Sequence, residues 1–512
     1  MIQIEIMPDI RDKIIDRDTM REICNSARSS GSRVGLAHGC FDLMHTGHIM
    51  HLEEARKLCD ILMVSITADQ YVNKGPNRPV FNHDVRAYTI ASLQCVDYVT
   101  INYGTSACEL LEHVAPTYYI KGRDYATSND YYLNQERLSV EKGSGSLIFT
   151  ESELYSSSEI INKYFSKYCD NVDEYLTDMR ARYGYDYMCD AMDRISKVNI
   201  LVLGESIIDR YVYVDIKNKA SKSAVLSSRY IGEENMLGAS LHIANHLAEI
   251  CNNVCLVTVV GNDHYKYESD NRLNDKIHKI MYSRDAPTMV KTRYVEPTYM
   301  LKMFEMATYN DNQIGDTDTD TLITEINNII NDYDVLMIAD FGQEVFNSKM
   351  IGYANSSSKY KGIMVQTNSL NYGYNMASKY ANGNYLCIDT TELRLMIRDK
   401  TSPVEDIVPL IRDYIDVSDI VSITMGNKGS ITYDMHSSTA YSTPSLALGV
   451  VDATGAGDVY YSYTLPASYI GLPYDVIGFL GNAAAALSVQ SKCTSKVVTK
   501  TSFMNFIKSL MK

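Results

Sequence analysis

Short apolar runs alternate with amphipathic segments through the first third of the chain. The runs Val34–Ala37, Ile61–Thr67 and Tyr98–Ile101 have the length of buried strands, and apolar residues recur at helical spacing over 49–59. Asn82 predicts the N-cap of a helix that runs to about residue 94. Further elements are predicted as a helix over 13–30, a helix over 105–114, a strand over 117–121, a helix over 132–142, a strand over 147–150 and a helix from Ser156. This alternation predicts a parallel, doubly wound sheet whose ligands bind at the carboxyl ends of the strands.

The same alternation resumes at Val198. Gly238 opens a predicted helix that reaches about Ile250, and the runs Val290–Val295 and Met300–Phe304 predict a small β-lid. The remaining apolar runs predict the strands of a second α/β sheet: Asn199–Leu203, Val254–Val260, Val335–Ala339, Gly362–Thr367, Tyr385–Ile388 and Ile420–Thr424. A second doubly wound domain is therefore expected.

Between the two arrays, apolar residues keep helical spacing on either side of Gly184. This pattern predicts a helical connector with acidic residues on its polar face. The chain is accordingly divided into a first domain over 1–165, a connector over 166–196 and a second domain over 197–512.

Composition narrows the classes of function. A net charge of −15 argues against a general surface for nucleic acids or anionic membranes. Eleven cysteines occur without a CxxC pair, which favours reduced thiols and a cytoplasmic location. No run of 18 apolar residues is present and residues 1–12 mix charges, so neither a membrane span nor a signal peptide is predicted.

Residues 38–48 read His-Gly-Cys-Phe-Asp-Leu-Met-His-Thr-Gly-His, directly after the first predicted strand. A glycine loop that leads from a strand into a helix aims backbone N–H groups at one point, which suits a phosphate. His45 and His48 are three residues apart, so both imidazoles can face the same anion and stabilise charge that develops on it. Two surface histidines at a helix start are the alternative.

A second glycine-rich stretch, Asp452-Ala-Thr-Gly-Ala-Gly-Asp458, opens a helix in the second array. Its glycines let the backbone approach a transferred phosphoryl group. Asp458 stands where a carboxylate can accept a proton from a sugar hydroxyl. The alternative is a helix start at which Asp458 merely favours the helix dipole.

The region from about Lys13 to Phe165 resembles the HxGH, cytidylyltransferase-like nucleotidyltransferases, and in particular the adenylyltransferase half of bacterial heptose-phosphate enzymes. The resemblance implies a Rossmann-like fold in which His45 and His48 are catalytic. It also implies a nucleotide site formed by Gly39, Phe41, Asp42, Lys74, Lys121, Asp124, Ser156, Ser157 and Ser158. Lys74 would hold the β- and γ-phosphates, and the alternative is that it is a solvated loop lysine. The alternative for the serines is that they only cap the N-terminus of a helix. His38 departs from the family, which usually has a small polar residue there.

The region 198–511 resembles ribokinase-like, PfkB-type sugar kinases. The resemblance implies that Asp458 is the catalytic base and that Asp209 and Gly238 contact the sugar. ATP and phosphate would be bound by Asp389, Glu392, Thr424, Gly426, Gly455, Ala456, Gly457 and Asn482, with Glu392 also placed at Mg²⁺. The family's sugar-binding Asn is Leu241 here, and its Asp-Pro-Lys-Gly is absent near 366–369.

Together the two resemblances imply a bifunctional enzyme with the transferase first and the kinase second. It would phosphorylate a heptose 7-phosphate-like sugar with ATP and Mg²⁺. It would also join a sugar 1-phosphate to ATP or CTP and release pyrophosphate. A homodimer formed through the kinase lid is implied as well, with sugar phosphates and nucleoside triphosphates as substrates.

Three alternatives stay open. The first domain could be a polyol-phosphate cytidylyltransferase fused to a different sugar kinase. The second domain could be a non-catalytic module for binding or dimerisation, which Leu241 and the missing lysine favour and the intact Gly455–Asp458 stretch disfavours. The chain could also be a regulatory nucleotide-binding protein without turnover.

Overall fold

The computed structural model describes residues 9–72, 79–123, 131–151, 168, 170–219, 225–310, 312–343 and 345–511. The chain forms two compact units, one up to Lys167 and one over Tyr168–Met511. Lys74, Asp124 and Ser156–Ser158 lie outside the described residues, as does the helix predicted from Ser156.

The first unit is built on a five-stranded sheet in the order β3-β2-β1-β4-β5, with each neighbouring pair parallel. Its strands are β1 Val34–Gly39, β2 Ile61–Thr67, β3 Tyr98–Asn102, β4 Tyr118–Lys121 and β5 Ser146–Phe149. Its helices are α1 Arg17–Ser29, α2 Thr46–Leu58, α3 His83–Ala91, α4 Cys108–Val114 and α5 Tyr131–Lys142. The predicted doubly wound parallel sheet is confirmed.

Apolar side chains cover both faces of this sheet. Val64 of β2 packs into a cluster with Leu52 and Ile90, whereas the adjacent Met63 packs with Leu110 on the other face. Because successive strand residues point to opposite faces, a strand buried on both sides reads as a continuous apolar run. The predicted N-cap of α3 is also confirmed, since Asn82 Oδ1 accepts a hydrogen bond from Val85 N at 2.9 Å.

The second unit contains a nine-stranded sheet in the order β10-β9-β6-β13-β14-β15-β16-β17-β18, antiparallel at its last two pairings. Its strands are β6 Asn199–Gly204, β9 Asn253–Gly261, β10 Ile277–Arg284, β13 Val335–Asp340, β14 Tyr360–Val365, β15 Gly383–Asp389, β16 Val417–Thr424, β17 Ser430–Asp434 and β18 Thr439–Thr443. Its helices are α6 Asp170–Arg182, α7 Tyr185–Ile195, α8 Ala239–Ile250, α9 His264–Arg272, α10 Asp316–Ile329, α11 Ser348–Ser356, α12 Thr390–Ile397, α13 Val404–Ile407, α14 Ala456–Tyr469, α15 Tyr474–Ser488 and α16 Lys500–Met511. The helix predicted from Gly238 to Ile250 is α8.

A separate four-stranded sheet in the order β12-β11-β7-β8 forms the lid. Its strands are β7 Ser206–Lys219, β8 Leu226–Gly238, β11 Met289–Glu296 and β12 Leu301–Thr308. The sequence predicted a small lid from two of these strands, β11 and β12, and β7 and β8 were missed. Much of β8 is exposed and polar, and such a strand gives no clear alternation of apolar residues.

Helices α6 and α7 belong to the second unit and do not form a separate connector. Leu176 and Met179 of α6, and Met192 of α7, lie in the main apolar cluster of that unit. Arg180 Nε also donates a hydrogen bond to Leu510 O at 2.8 Å. The apolar stripe that predicted helices here is thus buried against the nine-stranded sheet and its covering helices. Among the described residues, no helix combines the length and apolarity needed to cross a membrane.

Candidate functional site

The two histidines of the first unit lie side by side where the loop after β1 enters α2. His45 is the N-cap residue of α2, and the His45 and His48 rings stack with centroids 3.9 Å apart. Phe41 packs its edge near His48 at a centroid distance of 5.4 Å. Burial lowers the pKa of His45, so its imidazole is neutral near pH 7. The pair presents two imidazoles at a helix N-terminus, an arrangement that can bind the phosphates of a nucleotide.

Buried Arg86 braces the loop that carries these histidines. Its guanidinium donates to Cys40 O at 2.5 Å, to Thr67 O at 2.8 Å and to Asp69 Oδ1 at 2.6 Å. Asp42 supports the same region, since its Oδ1 accepts a hydrogen bond from Val80 N at 2.6 Å. Asp42 was predicted from the sequence to lie at the nucleotide, whereas Arg86 was not recognised. Nothing in the local sequence marks an arginine of α3 as the partner of carbonyls on two other segments.

Lys121 ends β4, and His38 is the penultimate residue of the neighbouring strand β1. Lys121 Nζ lies 3.3 Å from a carboxylate oxygen of buried Glu136, and His38 Nδ1 is 2.6 Å from Ser65 Oγ. Burial, and then the charge of Lys121, lowers the pKa of His38 to about 4. The imidazole is therefore a neutral group at the carboxyl edge of the sheet. Gly39 lies beside it, where an added Cβ would approach the ring of Phe41 at 3.2 Å.

In the second unit, Asp458 lies in the first turn of α14 and is almost wholly buried. Burial, and then the nearby charge of Asp209, raises the pKa of Asp458 to about 8. The turn before it contains Gly455 at φ +82°, a conformation that favours glycine. Ala456 and Gly457 then begin the helix. A carboxylate with this pKa can act as a general base near neutral pH.

Asp209 reaches the site from β7 and is held there by Arg293 of β11, which donates a hydrogen bond to Asp209 Oδ1. Arg293 Nε also lies 2.8 Å from Glu305 Oε2. A Cβ at Gly238 would lie 2.3 Å from Asp209 Oδ2, so a larger residue there would displace this carboxylate. Lys291 pairs in register with Asp209 and is buried, which lowers its pKa. Asp209 and Gly238 were predicted from the sequence, whereas Lys291 and Arg293 of β11 were not.

Asp389 and Glu392 form a capping box at the start of α12. Glu392 Oε1 accepts from Thr367 N and Oε2 from Asp389 N, each at 2.8 Å. Burial, and then the charge of Asp389, raises the pKa of Glu392 to about 8. Because both oxygens of Glu392 already accept backbone N–H groups, a Mg²⁺ ion at this position would be held largely through water. Within the described ranges, no cluster of three or more His, Cys, Asp or Glu is arranged to hold a metal directly.

The remaining predicted ATP residues occupy two places. Thr424 ends β16 beside Asp389 of β15, and Gly426 follows it at φ +59°. Asn482 lies inside α15, and its amide donates to Ser430 Oγ at 2.7 Å and to Gly478 O at 2.9 Å. The structure thus places Thr424 and Gly426 at the carboxyl edge of the sheet with Asp389, whereas Asn482 joins α15 to β17.

The residues of the second unit that depart from the family's pattern take part in its packing and hydrogen bonding. Leu241 is fully buried in the main apolar cluster. Where Asp-Pro-Lys-Gly is missing, Asn368 and Asn371 both donate amide hydrogens to Phe341 O, at 3.1 and 2.8 Å. This loop is therefore ordered by its own asparagines.

Comparison with known proteins agrees with this geometry. The family described as pfkB family carbohydrate kinase matches residues 197–501. The chain belongs to the pfkB family of carbohydrate kinases. The cytidylyltransferase-like family matches residues 36–163, so the PfkB domain follows a nucleotidyltransferase-like domain.

Relatives of this PfkB family member match its cytidylyltransferase-like region. The bifunctional protein HldE of Trichlorobacter lovleyi is 33% identical over 165 residues, which cover 32% of this chain and 33% of that protein. HldE of Aliarcobacter butzleri is 38% identical over 110 residues, which cover 21% of this chain and 23% of that protein. The chain therefore spans a third or less of these two curated relatives.

The PfkB domain also has a likeness among solved structures. Phosphofructokinase-2 of Escherichia coli in complex with potassium aligns with a TM-score of 0.50 and 11% identity. The alignment covers 62% of this chain and 100% of that one. At this identity the likeness shows the ribokinase-like fold alone.

Proposed function

We propose that this PfkB family member is a bifunctional enzyme of sugar-phosphate activation. The second unit phosphorylates a sugar phosphate of the heptose 7-phosphate type with ATP. The first unit transfers a nucleotidyl group from ATP or CTP to a sugar 1-phosphate. The observation that carries the proposal is Asp458, a buried carboxylate with a pKa of about 8 at a glycine-rich helix N-terminus beside Asp209.

In the kinase step, Asp209 accepts a hydrogen bond from the sugar and orients it toward Asp458. Asp458 takes the proton of the acceptor hydroxyl as its oxygen attacks the γ-phosphorus of ATP. The bond from that phosphorus to the β–γ bridging oxygen breaks, and ADP leaves. The backbone N–H groups of Gly455–Gly457 stabilise the charge on the transferred group. Mg²⁺ beside Asp389 and Glu392 would neutralise phosphate charge when bound.

In the transferase step, a phosphate oxygen of the sugar 1-phosphate attacks the α-phosphorus of the nucleotide in line. The bond to the bridging oxygen of the β-phosphate breaks, and pyrophosphate leaves. His45 and His48 bind the α-phosphate and stabilise its developing charge, while the N-terminus of α2 contributes its dipole. Lys121 is proposed at the nucleotide site, together with Lys74, Asp124 and the serines that lie outside the described residues.

A second candidate is a nucleotidyltransferase whose PfkB half binds ligands or dimerises without phosphoryl transfer. Leu241, buried where the family binds sugar through Asn, favours this candidate. The buried Asp458 with its raised pKa favours an active kinase instead. A pure binding module has no need for a carboxylate whose charge is this costly.

We also propose a homodimer formed through the outer face of the lid. On that face, opposite Arg293, Phe304 is 58% exposed and stacks on Tyr294 at a centroid distance of 4.4 Å. Met306 of the same strand is 48% exposed. A cytoplasmic location is proposed too, because the cysteines of the described residues are free thiols.

The test is a mass-spectrometric assay of the protein with Mg²⁺, a panel of sugar phosphates, and ATP or CTP separately. Wild type is compared with His45→Ala and Asp458→Asn. The proposal expects a nucleotide sugar that disappears only with His45→Ala, and a sugar bisphosphate that disappears only with Asp458→Asn. If a nucleotide sugar forms and no bisphosphate does, the second candidate replaces the bifunctional enzyme.

A further inference from the structure

Lys302 joins the lid to the loop that precedes α14. Its Nζ donates to Asp452 Oδ1 at 2.8 Å and to Thr454 Oγ1 at 2.6 Å. Tyr211, on another lid strand, donates its hydroxyl to Asp452 Oδ2 at 2.6 Å. Two strands of the lid thus hold the two oxygens of one carboxylate. The ammonium of Lys302 also lies over the ring of Tyr211, 5.6 Å from its centroid.

Asp452 in turn shapes the loop that is proposed to receive the γ-phosphate. Its Oδ1 accepts from Thr454 N at 3.0 Å and from Thr454 Oγ1 at 2.8 Å. Gly455 follows directly, at φ +82°, and Ala456 begins α14. Lys302 and Asp452 therefore both hold Thr454, the residue directly before Gly455. The conformation of Gly455 in turn sets the direction of the first N–H groups of α14.

The charge of Asp452 requires compensation at this point. The residue is 6% exposed, and a buried carboxylate beside an anion site would repel the phosphoryl group. Burial opposes its ionisation, but hydrogen bonds from Lys302, Tyr211 and Thr454 outweigh burial and lower the pKa of Asp452 to about 2. The carboxylate is thus charged at neutral pH, and Lys302 is the cation in contact with it.

We propose that Lys302 is a positioning residue for phosphoryl transfer, whose ammonium neutralises Asp452 and ties the lid to the turn that presents Gly455–Gly457. This inference rests on the proposed kinase function. It assigns to a lid strand a role in the phosphate-binding turn, 150 residues further along the chain.

Charge rescue tests the inference. The variants are Lys302→Met, Lys302→Arg, Asp452→Asn and the double variant Lys302→Met/Asp452→Asn. Lys492→Met is the matched control, because Lys492 is exposed and lies over Tyr213, 4.9 Å from its ring centroid. The readouts are kcat with a sugar phosphate acceptor and the affinities for a non-hydrolysable ATP analogue and for ADP by calorimetry.

We expect Lys302→Met to lower kcat about 10-fold. It should also weaken binding of the ATP analogue about 10-fold more than binding of ADP, since ADP lacks the γ-phosphate. Lys302→Arg should stay within about threefold of wild type, because it keeps the charge and the donors. In the double variant, removal of the uncompensated carboxylate should restore part of kcat and the preference for the ATP analogue.

The inference is overturned if Lys302→Met has the same kcat and affinities as Lys492→Met. It is also overturned if Lys302→Arg loses as much kcat as Lys302→Met, or if the double variant has no higher kcat than Lys302→Met. A wild type that phosphorylates no acceptor would instead overturn the proposed kinase function. In that case the comparison of the ATP analogue with ADP still decides whether Lys302 supports the phosphate-binding turn.

Discussion

Arg293 holds Asp209 from the neighbouring strand of the lid, donating a hydrogen bond to its Oδ1 while its Nε lies 2.8 Å from Glu305 Oε2. Asp209 is the carboxylate proposed to orient the sugar, and Arg293 is largely buried beside it. Arg293 thus holds the carboxylate of Asp209 in place before the sugar binds. A group that is preorganised in this way loses little conformational freedom when its ligand binds.

Replacement of Arg293 should therefore weaken acceptor binding. We expect Arg293→Met to raise KM for the sugar phosphate about 10-fold, with a smaller effect on kcat, because Asp209 loses its buried charge partner. Steady-state kinetics with varied acceptor measures the effect. Arg210→Met is the control, since Arg210 adjoins Asp209 in sequence but pairs with Glu233 at 2.8 Å. Equal losses in both variants would contradict the role given to Arg293.

The role proposed for Asp458 predicts how the kinase activity depends on pH. The base must be ionised to accept a proton, and burial together with Asp209 raises the pKa of Asp458 to about 8. We expect kcat/KM for the acceptor to rise about 10-fold per pH unit below pH 8 and to level off above it. Asp458→Asn should lower kcat at least about 1000-fold and abolish this limb of the profile. A wild-type profile that is flat between pH 6 and 9 would contradict the assignment.

Asp458 should also make the stability of the second unit depend on pH. Its pKa is about 8 in the folded protein, against an ordinary value of 3.8 for an aspartate side chain. Between these values the unfolded chain is ionised while the folded chain keeps its proton, so stability falls as pH rises. The stability of Asp458→Asn relative to wild type should grow with pH by at most about 1.4 kcal/mol per unit. Urea unfolding at pH 5, 6, 7 and 8 measures this difference, and a difference that does not change with pH would count against it.

The stacked histidines should affect only the transferase. We expect His45→Ala and His48→Ala each to reduce nucleotide-sugar formation about 100-fold or more, because each removes a group that is proposed to bind the α-phosphate. Sugar bisphosphate formation should stay at the wild-type rate. His113→Ala serves as the control, since His113 pairs with Asp18 at 2.7 Å. Loss of both products in the His45 or His48 variants would show a general defect in folding.

Arg86 should matter for the stability of the first unit. Its side chain is 1% exposed and ties α3 to Cys40 O, Thr67 O and Asp69. We expect Arg86→Met to destabilise the unit by about 1–3 kcal/mol, because it leaves the carbonyl groups of Cys40 and Thr67 without this donor, whereas the partly exposed Asp69 keeps His83 as a partner. Thermal unfolding measures the loss. Arg33→Met, which removes the exposed pair with Asp60, should leave the transition nearly unchanged.

Local sequence signals were sufficient wherever the deciding contacts are close along the chain. Asn82 predicted the start of α3 because an N-cap bonds a backbone N–H three residues ahead. The parallel sheets were predictable because strands buried on both faces read as apolar runs. The glycine stretch that ends at Asp458, and the pair His45 and His48, were recognisable because each lies at one loop–helix junction.

Contacts between distant segments could not be predicted in the same way. Strands β7 and β8 of the lid were missed because they pair with each other, and much of β8 is exposed and polar. Helices α6 and α7 were recognised as helices, but not as part of the second unit. Their apolar stripes predict that one face of each helix is buried, but they do not predict which part of the chain buries it.

The sequence by itself determined the two α/β arrays, their glycine-rich loops and the chemical groups at those loops, because each depends on residues within one or two turns. Only the tertiary structure decided which charges stand beside those groups. Arg293 meets Asp209 across 84 positions, and Lys302 meets Asp452 across 150. Electrostatic effects depend on distance and burial in space, so the raised pKa of Asp458 and the lowered pKa of Asp452 exist only in the folded chain.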